Sequence, residues 1–124
     1  MTTRIVIPVS EEKGVDSRLS EHFGRAPYFA VVELDDEGKV LSLKTSVNVS
    51  EHFGGTGTPP DGILQHKPNA VITCGMGPRA LNIFQNARVA VLRTEADIVR
   101  DVIELYVNDR LEELTEGCHE ARHH

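Results

Sequence analysis

Apolar positions along the chain come in short, β-branched runs separated by polar, glycine-rich segments, and the runs alternate with stretches of helical spacing. Arg4–Val9 (Arg-Ile-Val-Ile-Pro-Val) is too short for a helix and too β-branched for a loop, so it predicts a buried strand. Tyr28–Leu34 predicts a second strand, and the Asp-Asp-Glu-Gly-Lys of 35–39 a hairpin turn. Val40–Val47 alternates, with Leu41, Leu43 and Val47 on one side and Ser42, Lys44 and Ser46 on the other, the pattern of a half-exposed edge strand. Thr58-Pro59-Pro60-Asp61 starts a helix that Pro68 keeps short. Ala70–Thr73 is a strand that breaks at Cys74-Gly75-Met76-Gly77, and Pro78 opens a helix with Ala80, Leu81, Ile83 and Phe84 on one face. A strand over 88–92 follows. Thr94-Glu95-Ala96-Asp97 then reads as a capping box for a helix whose Ile98, Val99, Val102, Ile103 and Tyr106 share a face.

The order βββαβαβα constrains topology. If the second strand runs against the first and third, and each helix returns the chain to begin another parallel strand, the segments 10–27, 48–58, 74–77 and 93–94 all lie on one rim of the sheet. The turn at 35–39 lies on the opposite rim. His22, His52, Cys74 and Met76 are thereby brought to one edge, where open α/β sheets bind their ligands. The expected organisation is one domain over 1–107 and a mobile C-terminal tail over 108–124.

Composition narrows the function. The 124 residues are 40% hydrophobic and 26% charged, as in an ordinary globular domain, and no apolar run approaches the roughly 20 residues of a membrane span. The net charge of −6 argues against nucleic acid as a partner. With no signal-peptide pattern at its start, the chain is expected in the cytoplasm, where Cys74 and Cys118 are free thiols or metal ligands rather than a disulfide.

The rim chemistry is soft. Two imidazoles, a thiol, a thioether and several glycine amides suit iron, copper or a sulfide-containing cluster better than magnesium or calcium. Ser-Glu-His-Phe-Gly occurs twice, at 20–24 and 50–54, which strengthens the reading of both histidines as ligands. In the tail, Cys118 and His119 are further metal-ligand candidates, and His119 and His123 have the i, i+4 spacing of one helical face. Competing chemistries are less complete. Gly54-Gly55-Thr56-Gly57-Thr58 resembles a phosphate cradle but lacks the Lys-Ser/Thr of a P-loop, and Gly75-Met76-Gly77 lacks the third glycine of a dinucleotide fingerprint. A thiol enzyme would use Cys74, activated by the helix amino end, with His22 or His52. The alternative to a binding protein is thus a small cysteine-dependent or nucleotide- or phosphate-handling enzyme.

His-Phe-Gly-Arg-Ala-Pro-Tyr-Phe at 22–29, the His52-to-Gly57 loop before a proline-capped helix, and Cys-Gly-Met-Gly-Pro-Arg-Ala at 74–80 together resemble the dinitrogenase iron-molybdenum cofactor biosynthesis family. The likeness runs from Ile5 through Tyr106. It implies a three-layer α/β/α sandwich with a ribonuclease-H-like motif and a five-stranded mixed sheet of order 3-2-1-4-5, strand 2 antiparallel. It also implies a non-catalytic carrier of an iron-sulfur or molybdenum-iron(copper)-sulfur cluster, exchanged with a donor or acceptor protein. The resemblance places cluster contact on His22, Gly24 and Arg25, on His52, Gly54, Gly55 and Gly57, and on Cys74, Gly75, Met76 and Gly77. His22, His52 and Cys74 would be the rim metal ligands.

Overall fold

The computed structural model describes residues 2–48 and 59–114. One mixed sheet forms the centre, built from β1 (Thr3–Val9), β2 (Tyr28–Leu34), β3 (Val40–Val47), β4 (Ala70–Thr73), β5 (Ala90–Arg93) and β6 (Glu112–Glu113), in the order β3-β2-β1-β4-β5-β6. β1 is antiparallel to β2 and parallel to β4, β2 is antiparallel to β3, and β4 is parallel to β5.

Alternation along β1 explains the layering. Ile5, Ile7 and Val9 face one side and pack with Val99, Val102 and Ile103 of helix α3 (Val99–Val107). Val6 faces the other side and joins Ile63 of α1 (Pro59–Leu64) and Leu81 and Phe84 of α2 (Pro78–Asn86). β4 repeats the pattern, with Ala70 and Ile72 toward α3 and Val71 toward α2.

The sheet has six strands where five were expected. β6 pairs antiparallel with β5 through Leu92↔Glu113 and Arg93↔Glu112, and Leu114 N–H donates to the Val91 carbonyl at 2.7 Å. Two glutamates have no strand propensity of their own, so the open β5 edge dictates this pairing. The segment from Asn108 therefore begins by covering that edge, and Leu114 packs against the α2-side core.

The capping box at Thr94 does not open a helix. Thr94 Oγ1 accepts the Ala96 N–H at 3.0 Å, and Ile98 remains extended (φ −128°, ψ 142°). Arg18 bridges to Ile98, Leu19 N–H donates to Asp97 O, and Val99 N–H donates to Ser17 O, so residues 97–99 serve first as a strand-like partner. Helical geometry begins only at Val99.

At the opposite rim, the hairpin between β2 and β3 is closed by Asp35, whose carboxylate accepts the N–H groups of Glu37 (2.8 Å) and Lys39 (2.9 Å). Gly38 has φ +85°, and a Cβ there would stand 2.6 Å from Val107 Cγ1 at the end of α3. Nearby, Arg4 donates to Glu33 Oε2 at 2.7 Å and to the His66 carbonyl, and Ser42 Oγ donates to Glu33 Oε1 at 3.2 Å. The Arg4 hydrogen bond and charge, with the help of Ser42, hold the Glu33 carboxyl below the usual carboxylate range. A depressed folded-state pKa stabilises above the ordinary carboxyl pKa, and that contribution disappears as pH falls through the folded value. The difference in unfolding midpoint between wild type and Glu33→Gln should therefore be largest near neutrality and narrow on acidification. A difference independent of pH would show that the pair acts through packing alone.

Candidate functional site

The rim above β1 and β4 opens into a cleft of about 660 Å³, lined on one side by residues 21–25, on the other by Cys74-Gly75-Met76-Gly77, and by Arg79, Ala80 and Ile83 of α2. Pro60 of α1 completes the described lining. Of the residues expected at the site, His22, Gly24, Arg25, Cys74, Gly75, Met76 and Gly77 meet in this cleft. His52, Gly54, Gly55 and Gly57, and Cys118 and His119, lie outside the described residues. Asn48, the last described residue before position 49, donates from Nδ2 to the Ala26 carbonyl at 2.8 Å. β6 runs antiparallel to β5, away from the cleft rim, and Leu114 follows directly after its last residue.

The His22 loop is fixed from below. Phe23 is buried, with its ring edge-on to Phe84 (centroids 5.8 Å, 85°) and tilted against Phe29 (6.0 Å). A single 3₁₀ turn, Phe23–Arg25, follows from that anchor and leaves His22 and Arg25 exposed at the cleft mouth. Burying such a ring is worth about 3–5 kcal/mol by the cost of its truncation, enough to hold a loop with no other regular structure. The Phe of the His-Phe-Gly motif is thus core, and the His is the accessible group.

On the other wall, strand alternation turns Cys74 toward the α3 side, where it is half-buried against that core. Burial pushes its thiol pKa up, and the negative charges of Asp97 and Glu21 push it further, against a smaller opposite effect of Arg93. The direction is opposite to the lowering expected at a helix amino end, with desolvation as the largest cause. Cys74 should react with iodoacetamide more slowly at pH 7 than a free thiol such as glutathione, with the alkylated cysteine assigned by peptide mass. A pH midpoint below that of an ordinary thiol would reinstate the activated nucleophile.

Met76 is 2% exposed and belongs to the α2-side core, so its thioether forms part of the cleft floor by packing. Gly24, Gly75 and Gly77 differ from most structural glycines. None has a positive φ, and a Cβ built on any of them meets no atom of the described residues within 4 Å. The described fold would accept a side chain at each of these cleft-lining positions, the added methyl meeting open space. Two guanidinium groups, Arg25 and Arg79, face the cleft with one carboxylate, Glu21. Arg79 was not anticipated from the sequence, although its position two residues into a rim helix is a usable signal. Among the described residues, no three of His, Cys, Asp and Glu come together to hold a metal ion.

Residues 3–109 match the family model described as dinitrogenase iron-molybdenum cofactor, and the chain belongs to that family. It is 26% identical over 111 residues to the uncharacterized protein MJ0580 of Methanocaldococcus jannaschii, covering 88% of this chain and 89% of the relative. The crystal structure of PH0822 superposes with a TM-score of 0.75 at 27% identity, over 91% of this chain and 97% of that one. The apo form of the orange protein from Desulfovibrio gigas superposes with a TM-score of 0.77 at 19% identity, over 92% and 94% of the two chains, a likeness of fold. The family is one associated with a metal cofactor rather than with catalysis. No helix among the described residues is long and apolar enough to cross a membrane.

Proposed function

We propose that the protein binds and carries a preformed metal-sulfur cluster in the rim cleft, as cargo and without catalysing a reaction on it. The observation that carries this reading is a mismatch between the cleft and a bare ion. The described walls supply two soft donors, the His22 imidazole and the Cys74 thiol, where a tetrahedral ion held by protein alone takes four ligands. The space is about 660 Å³, far larger than one ion needs. A cluster brings its own sulfides, fills such a volume and needs few protein donors.

The other wall features support the same cargo. The absence of side chains at Gly24 and Gly77 lets a cluster approach the backbone closely, and the Arg25 and Arg79 guanidinium groups offset the negative charge that sulfide-rich clusters carry. The family association with the iron-molybdenum cofactor favours an iron-sulfur or molybdenum-containing cluster. His52 and the 54–57 glycines are proposed as further contacts on the strength of the repeated His-Phe-Gly, and delivery to or from a second protein follows from a carrier's task. The raised thiol pKa of Cys74 weighs against the cysteine-enzyme alternative. Anaerobic titration of the purified chain with tetrathiomolybdate, and separately with a synthetic iron-sulfur cluster, tests the reading by visible absorption. Saturable uptake near one cluster per chain is expected; no uptake of either probe would overturn it.

A further inference from the structure

Two side chains outside the cleft lining share one geometry with respect to it. Thr73, fully buried at the end of β4, donates from Oγ1 to the Gly75 carbonyl at 3.0 Å and accepts the Gly75 N–H at 3.3 Å. Ser20, 8% exposed, donates from Oγ to the His22 carbonyl at 3.1 Å and accepts the His22 N–H at 3.3 Å. In each case a buried hydroxyl two residues upstream holds both the N–H and the carbonyl of one cleft residue, and so the peptide groups on either side of it, once on each wall. Both hydroxyls sit where a sheet-bound segment gives way to the rim: Ser20 N–H donates to the Pro8 carbonyl, and Thr94 N–H donates to the Thr73 carbonyl.

We infer that Ser20 and Thr73 are positioning residues for the cleft, setting the His22 and Cys74-Gly75 turns at the spacing the cargo requires. This rests on the cluster-binding reading. Neither side chain touches the cleft, so each acts through the peptide it holds. The hydroxyl is the operative group in both. Thr73→Val keeps the shape and removes the bond, Thr73→Ser keeps the bond and removes a methyl, and Ser20→Ala removes the bond on the other wall.

The test pairs cluster uptake with amide hydrogen exchange on the full-length chain. With tetrathiomolybdate as the probe, Thr73→Val and Ser20→Ala should bind about tenfold more weakly, the usual loss when a group that orients a ligand is removed, while Thr73→Ser stays near wild type. In the wild-type protein the Gly75 and His22 amides should be protected from exchange, and protection of Gly75 should be lost in Thr73→Val. Wild-type affinity in a folded Thr73→Val, or Thr73→Ser as weak as Thr73→Val, overturns the inference. So does free exchange of the Gly75 amide in wild type, a measurement that does not depend on any variant folding. Should the wild-type chain take up no probe, the cluster-binding reading fails, and the exchange data alone decide whether the hydroxyls hold the turns.

Discussion

Gly38→Ala is expected to lower stability by about 2–5 kcal/mol. A non-glycine residue at positive φ costs roughly 1–2 kcal/mol, and forcing a methyl into a packed contact adds about 1–3 kcal/mol. Both apply here, because Gly38 has φ +85° and its Cβ would lie 2.6 Å from Val107 Cγ1. At roughly 4 °C per kcal/mol for a chain of this size, the unfolding midpoint should drop by about 8–20 °C. The two causes can be separated. Val107→Ala relieves the contact and leaves the backbone strain, so the double variant should recover about half of the loss. A Gly38→Ala protein as stable as wild type would mean that the hairpin tip is not pressed on α3.

The second large effect concerns binding, and it should separate from stability. His22 is exposed, so His22→Ala should change stability by no more than about 0.5 kcal/mol, while loss of a ligand should weaken cluster uptake at least 10- to 100-fold, or about 1.4–2.7 kcal/mol. Cys74→Ala should weaken uptake to the same degree, at a stability cost of about 1 kcal/mol for its half-buried sulfur. The glycines provide the sharper contrast. Gly75→Ala and Gly77→Ala lie at conformations alanine accepts, with no neighbour among the described residues in the way, and should leave stability unchanged or raise it by about 0.4–1 kcal/mol. Both residues line the cleft, so the added methyl groups should lower uptake. Anaerobic titration beside thermal unfolding of the metal-free variants reads both quantities. Undiminished uptake in all four variants would remove the cargo from this cleft.

Much of this site was legible from periodicity and parity. The apolar runs at 4–9, 28–34 and 70–73 are strands, and the number of crossings between them suffices to put His22 and Cys74 on one rim. What escaped depends on contacts remote in sequence. β6 exists because β5 offers an edge, which no property of Glu112-Glu113 announces. The helix start moved from 94 to 99 because Ser17–Leu19, some 80 residues earlier, claims residues 97–99 as a partner. Met76 reads from the sequence as packing more than as a ligand, and it is core, on the α2 side of the sheet. The thiol pKa of Cys74 depends on Asp97 and Glu21, which only the fold brings near. Ser20 and Thr73 carry no motif; their significance lies in where their hydroxyls point.

The hydroxyl turns at Ser20 and Thr73, with a third at Thr94, also bear on how affinity is divided between folding and binding. Fixing one residue's backbone costs roughly 1–2 kcal/mol in conformational entropy, and a flexible wall would impose that cost on each ligand as it bound. Here the His22 and Gly75 peptides are already ordered by bonds internal to the protein, so the cost falls on folding. Contact energy made by a ligand on these walls is then retained as affinity, and association needs no slow rearrangement of either turn.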